Sequence, residues 1–391
     1  MRLTTEGIET PVEENVERPE VNVQPATARR VRHLYVHIPF CARICPYCAF
    51  YKVLPDAEFA GRFCEALLAE CDFVTAKYGV RPETIFFGGG TPTALSTTHL
   101  GRVLAGLRER LDLSALREWT VEANPGSVSA RKAALLCELG VTRVSLGVQS
   151  WDDDLLKLLG REHDAAQAAT SYRIIRETGF ESVSLDLMFG LPGQTLAQWE
   201  ATLERTIALE PDHVSAYSLT YEENTEFFLR QTRGKFRADV NVDAAYFETA
   251  MEMLEAAGYR HYETSNYARP GHESLHNRAY WAGADYVGLG PSAFSTVGFR
   301  RWQNVADYRR YSDCILAGRS VVSLDEALTS AMKRAERVAL SLRTREGVPA
   351  EWLEAQPTER DEFVALALLE RSGDRFALTA KGKLLADTVA S

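Results

Sequence analysis

The stretch His37–Lys52, HIPFCARICPYCAFYK, sets Cys41, Cys45 and Cys48 within eight residues and then has Phe50 where a fourth thiol would continue the pattern. It follows a short β-rich run, Leu34–Ile38 (LYVHI), so the thiols sit on a loop at the end of a first strand. Thiolates bind soft metals, which leaves zinc or iron–sulfur. A closed structural zinc site wants four ligands, usually as two close pairs, and no second cysteine pair or paired histidines follow at a suitable distance. An electron-transfer [4Fe–4S] cluster also wants four cysteines, and the next one, Cys64, falls inside an apparent helix. Three thiolates on a four-iron cluster leave one iron without a protein ligand and open to a small molecule.

The 391 residues are 46% hydrophobic and 25% charged, a globular composition with room for one large domain and a smaller one. The formal net charge is -10, and the first twenty residues carry Glu6, Glu9, Glu13, Glu14, Glu17 and Glu20 against only Arg2 and Arg18. A nucleic-acid footprint is basic, so nucleic acid is not an expected partner. No run approaches the roughly 18 to 20 apolar residues of a membrane span, and the start lacks the basic and apolar segments of a signal peptide. A cytoplasmic location follows, with peripheral membrane contact at most. Seven cysteines, an odd count without a secretory signal, argue for reduced thiols, and Cys64, Cys71, Cys137 and Cys314 read as core or incidental residues.

Residues 1–30 are acidic, poor in aromatics and without period, which predicts a mobile extension dispensable for chemistry. From Leu34 a rhythm begins. Strand-like runs stand at Leu34–Ile38, Thr84–Gly88, Glu118–Ala123, Arg143–Gln149, Ser182–Gly190 and His213–Leu219, separated by helical stretches with apolar residues three and four apart. Six alternating units predict an α/β fold over 31–225, a parallel sheet in an open or partial (β/α)6 barrel, since eight units are needed to close one. Several strands end in Gly88-Gly89-Gly90-Thr91, Glu122, Gln149 or Asp186, on the rim where such folds carry their sites. Residues 226–325 lose the rhythm; within them 245–310 are aromatic-rich and are expected to cover the mouth of the barrel. Residues 326–391 read as a small winged-helix-like α+β module with a packing or partner role.

The Cys41-x₃-Cys45-x₂-Cys48 loop resembles the signature of the radical S-adenosylmethionine (SAM) superfamily, in which the open iron chelates SAM and reductive cleavage yields a 5′-deoxyadenosyl radical. The blocks LYVHIPFC, FFGGGTPT, VEANPGSV, RVSLGVQS, LGREH, SLDLMFGLPGQT, ETSNYARPG, HNRAYW and VGLGPSAFS, in this order, are similar to the coproporphyrinogen III oxidase-like branch, and the resemblance spans most of the chain. Within that branch the oxidase type carries a fourth cysteine where Phe50 stands. The HemW-type heme chaperones lack it and carry an HNxxYW block, matched by His276, Asn277, Tyr280 and Trp281. The resemblance therefore implies a chaperone that binds a [4Fe–4S] cluster and SAM and passes heme to an acceptor protein. Its electrons would come from a flavodoxin, ferredoxin or quinone-linked donor. The oxidase itself, decarboxylating a porphyrin precursor, and a HemN-like methyltransferase or cyclopropanase are the alternative readings.

Carried over by motif, the resemblance gives Cys41, Cys45 and Cys48 as cluster ligands, with Tyr35 and Tyr47 beside SAM. Gly89, Gly90 and Thr91 suit close backbone approach to its methionine moiety. Glu122, Gln149, Arg161 and Asp186 match the family's cofactor contacts; a carboxylate suits ribose hydroxyls or an amino group, and Arg forks to a carboxylate. His276 beside aromatics has two readings, an axial ligand to heme iron or a satisfied, half-buried histidine. His37 orders the cysteine loop or caps local backbone.

Overall fold

The computed structural model describes residues 30–236 and 240–390; the expected extension over 1–30, apart from Arg30, lies outside them. The six strands stand on the β-rich runs: β1 (His33–Ile38), β2 (Thr84–Gly89), β3 (Glu118–Ala123), β4 (Arg143–Gln149), β5 (Ser182–Phe189) and β6 (His213–Ser218). Each pairs in parallel with the next in sequence. Helices Ala60–Tyr78, Thr97–Arg110, Ala130–Glu138, Ala165–Thr178 and Leu196–Ala208 connect them. Local chemistry sets their ends. Ser96, Asp164 and Thr195 accept backbone N–H bonds at N-termini, and Gly79 and Gly179, at φ 61° and 89°, turn the chain out at C-termini.

Parallel strands covered on both faces usually read as continuous apolar runs. These alternate. Leu34, Val36, Ile38, Ile85, Phe87, Val121, Val144, Leu146, Leu185 and Val214 are buried in the main apolar core, together with Phe63, Leu67, Leu104, Ile175 and Leu203 of the helices. The register aligns the intervening residues on the opposite face: Tyr35 with Phe86, His37 with Gly88, Glu122 with Ser145, and Asp186 with Ser215. One face of the sheet thus makes the core and the other is lined with polar and aromatic groups.

Residues 245–310, expected to lie across the mouth, contribute strands that continue the sheet past both outer strands of the parallel set. β7 (Arg260–Glu263) and β8 (Asn266–Ala268) extend it antiparallel beyond β6, while β9 (Tyr286–Leu289) pairs parallel to β1 and leads to the antiparallel β10 (Phe294–Val297), β11 (Arg300–Asn304) and β12 (Val322–Ala327). An open parallel sheet leaves two unpaired edges, and these strands satisfy them. The resulting twelve-stranded sheet is open, as a partial barrel must be.

The last part forms a three-stranded sheet of β13 (Val348–Pro349), β14 (Leu369–Ser372) and β15 (Arg375–Leu378), with its own apolar cluster around Leu342, Leu353 and Phe376. The order of helix Ser330–Leu342, helix Pro357–Ala365 and hairpin is winged-helix-like. The second of these helices ends at Ala365, Ala367 takes φ 55°, and the hairpin begins at Leu369. Backbone bonds from Thr264 to Arg343 (2.9 Å) and from Arg345 to Tyr262 (3.0 Å) join this part to the end of the main sheet.

Candidate functional site

The cysteine loop is closed at its base like a strand pair. Cys41 N–H donates to Val53 O (2.9 Å) and Val53 N–H to Pro39 O (2.8 Å). The exit of β2 is zipped to the exit of β1 in the same way, Gly90 N–H to Ile38 O and Thr91 N–H to Phe40 O, both 2.8 Å. A Cβ on Gly90 would lie 2.7 Å from the Pro39 carbonyl carbon, and one on Gly89 (φ +102°) 2.4 Å from the His37 ring. The two glycines are therefore required by the approach of the chain to itself, before any ligand is considered. His37 Nε2 lies 2.9 Å from Tyr51 O, and since a carbonyl only accepts, this nitrogen carries the hydrogen and Nδ1 accepts from Tyr35 Oη at 3.2 Å. Burial pushes the His37 pKa down to about 4, so the ring stays neutral and ties β1 to the far end of the cysteine loop.

Cys41, Cys45 and Cys48 are half-buried free thiols. Cys41 Sγ is 3.5 Å from Thr91 Oγ1. Burial holds the Cys41 and Cys48 thiols above the usual range, and at Cys41 the charges of the other two thiols push the same way. Arg161, just beyond the helix Asp153–Leu158, reaches into this loop: Nη1 donates to Cys45 Sγ (3.7 Å) and Tyr47 Oη (3.4 Å), Nη2 to Gly147 O (2.8 Å) and to Asn124 Oδ1. Its Nε is buried with no partner among the described residues. The guanidinium thus couples the loop after β1 to the ends of β3 and β4.

A [4Fe–4S] cluster fits this donor set, which is three soft thiols with a cation beside them. A closed zinc site wants four ligands, and the loop offers three thiols. Cys64 and Cys71 are buried in the apolar core, which pushes each thiol up to about 12. They take no part in the site.

Two carboxylates stand on the polar face at the strand ends. Asp186 accepts from the hydroxyls of Ser145 (2.8 Å), Ser184 (3.1 Å) and Ser215 (2.8 Å). Glu122 is raised to about 8, first by burial and then by the Asp186 charge, with the Gly89 N–H pulling the other way. Gln149 takes φ 67° at a register shift between β4 and β5, a conformation that few non-glycine residues adopt. Tyr35, on the same face, is held high by burial and by Glu122. Cysteine loop, Gly89–Thr91, Glu122, Gln149, Arg161 and Asp186 are therefore gathered at one end of the parallel strands.

Residues 35–206 match the Radical SAM superfamily model. The chain is 37% identical to the heme chaperone HemW of Bacillus subtilis over 92% of its length and 98% of that protein's. With HemW of Mycobacterium tuberculosis it shares 38% over 91% and 93% of the two chains. The chain belongs to the HemW family of radical SAM proteins. Its fold is also that of the coproporphyrinogen III oxidase HemN from Escherichia coli, described as a radical SAM enzyme, with a TM-score of 0.80 and 25% identity over 93% of this chain and 90% of that one. Phe50, 70% exposed at the rim of the loop, adds no fourth thiol beside Cys41, Cys45 and Cys48.

In this HemW-family chain His276 lies at the other end of the strands. It is 0% exposed, deeper than the half-buried histidine of the second reading, with Nδ1 2.7 Å from Thr84 Oγ1 at the start of β2. Its ring stacks on Phe86 at 5.2 Å and meets Tyr280 edge-on at 4.7 Å. Burial pushes its pKa down to about 3, and Nε2 has no partner among the described residues. The helix Leu275–Trp281 that carries it is seated by Glu118, whose carboxylate accepts from Leu275 N–H (2.8 Å) and His276 N–H (3.0 Å). Asn124, the three serines and Glu118 were not singled out from the sequence; the period-two alternation of polar residues inside strands that ought to be apolar on both faces was the signal for them.

Proposed function

We propose that this protein is a HemW-type heme chaperone. The reading rests on one combination: a three-thiol loop without a fourth cysteine, in a chain 36–38% identical over about nine tenths of its length to proteins named heme chaperones. Cys41, Cys45 and Cys48 would hold the [4Fe–4S] cluster. Tyr35, Tyr47, Gly89, Gly90, Thr91, Glu122, Gln149, Arg161 and Asp186 would line the SAM site, which their common position at the strand ends supports. Bound together, cluster and SAM supply a route to one-electron reduction of the sulfonium. In the chain itself, Arg161 orients the thiol loop, Asp186 offers negative charge and Glu122, held protonated by burial and by the Asp186 charge, a hydrogen-bonding carboxyl group to a ligand, and the zipped exits of β1 and β2 fix the loop's base.

Heme is the cargo in this reading, an acceptor protein receives it, and a flavodoxin-, ferredoxin- or quinone-linked donor reduces the cluster. The setting is the cytoplasm; no helix among the described residues is long and apolar enough to cross a membrane. Residues 31–225 serve the cofactors, 226–325 the cargo, and 326–391 form a partner module. As the helix Leu275–Trp281 is seated, His276 joins the starts of β1 and β2, and its unpartnered Nε2 becomes a ligand for heme iron only when that helix leaves the sheet. The test is anaerobic reconstitution with iron and sulfide, followed by heme titration of the wild type and His276→Ala. Heme binding no tighter than to an unrelated protein, or conversion of coproporphyrinogen to protoporphyrinogen, overturns the chaperone reading.

A further inference from the structure

The winged-helix-like part carries a groove of about 1020 Å³ between the helices Ser330–Leu342 and Pro357–Ala365. Its apolar floor includes Val338, Leu353 and Phe363, with Trp352 at one side. Its rim is basic: Lys333, Arg334, Arg337 and Arg360 against Glu351 and Glu359. The Arg334 side chain is exposed and makes no ion pair or hydrogen bond among the described residues. In a chain of net charge -10 such a concentration of cations over an apolar floor describes the complement of an acidic segment with apolar anchors.

This chain contains that segment. Residues 6–23, EGIETPVEENVERPEVNV, hold six glutamates against one arginine, interleaved with Ile8, Val12, Val16, Val21 and Val23. They lie outside the described residues, but the point where they join the fold is known. Arg30 and Val31 lead into β1, beside Thr84, whose hydroxyl meets His276 on the helix Leu275–Trp281. Trp281 on that helix lines a second hollow of about 370 Å³ together with Arg337 and Trp352, both shared with the basic groove. The helix Leu275–Trp281 thus touches both the strand beside the chain's entry and the hollow that adjoins the groove. The fourteen residue steps from Val16 to Arg30 give the segment a reach of up to roughly 46 Å from its point of entry when extended.

We propose that residues 6–23 dock in this groove of their own chain, glutamates on Arg334, Arg337 and Arg360 and valines over Trp352 and Phe363. The segment pairs the two ends of the chain and occupies the face that the module offers to a partner. Hydrogen exchange of the full chain tests it. At low ionic strength the amides of 6–23 exchange at least tenfold more slowly than an unstructured chain, and molar salt removes the protection because exposed charge pairs are screened. Arg334→Glu with Arg337→Glu removes it too, while sheet amides keep their wild-type rates, which shows that the fold is retained. Glu13→Arg, Glu14→Arg and Glu17→Arg, added to that pair, restore it. Unprotected amides at low salt, protection indifferent to the charge reversals, or protection that grows with protein concentration, as a segment from a second copy would give, overturns the proposal.

Discussion

Replacing Arg161 by methionine tests whether one side chain positions the thiol loop. The guanidinium is the shared donor for Cys45 Sγ, Tyr47 Oη, Gly147 O and Asn124 Oδ1. Methionine fills similar volume but donates nothing, so it strands at least the Gly147 carbonyl and the Asn124 side-chain oxygen. A buried polar group left unpaired costs about 1–3 kcal/mol, which makes about 2–6 kcal/mol for the two. The lower end already corresponds to roughly a thirtyfold change in a local opening equilibrium. Hydrogen exchange at the Cys41 and Cys48 amides, both bonded within the loop, should accelerate by at least that factor. Iron retained after anaerobic reconstitution should fall in parallel. Arg161→Lys keeps the charge but cannot fork to two acceptors, and should lie between. If loop amides exchange at the wild-type rate in Arg161→Met while the melting temperature drops, the arginine is a general brace and the coupling argument is refuted.

Four further outcomes follow from the same geometry. Gly90→Ala drives a methyl into the Pro39 backbone, at a cost of about 1–3 kcal/mol from overpacking, and should lower iron incorporation more than thermal stability. Because the folded pKa of Glu122, about 8, lies above its ordinary 4.5, its protonation favours the fold. The stability so conferred is fully present below about pH 4.5 and is lost as pH rises toward 8, so Glu122→Gln should flatten the melting profile of the apo protein across that window. His276→Ala leaves a cavity against Phe86 and Tyr280 and should destabilise by about 1–3 kcal/mol, yet leave iron content unchanged, since the ring is far from the thiols. Any one of Cys41→Ala, Cys45→Ala or Cys48→Ala should abolish iron binding, whereas Phe50→Ala should preserve it, read by colour and iron assay after reconstitution.

The parallel strands were legible because β-rich runs and polar strand ends recur with helices between them, and the thiol spacing alone pointed to iron–sulfur. Less legible was anything that depends on which strands end up adjacent. β9 is remote in sequence from β1, so no local pattern announces their pairing. His276 shows the same limit: its aromatic neighbour Tyr280 was visible four residues on, but Phe86 and Thr84 lie about 190 residues earlier and decide its burial. The glycines at 89 and 90 were read as room for a ligand, and the structure gives them a nearer use in the contact with His37 and Pro39. Asp186 was found as a strand-end acid, while its three serine donors come from three different strands and become a set only in register.

That register has a consequence for how such a protein is loaded and emptied. The apolar residues that hold the sheet to its helices all lie on one side of the strands, and the thiols, carboxylates and tyrosines that would meet a ligand lie at or beyond the other. Cohesion and ligand contact would thereby fall on opposite surfaces of the same strands. A vessel built this way keeps its walls when its contents leave, and release need not wait for the chain to unfold.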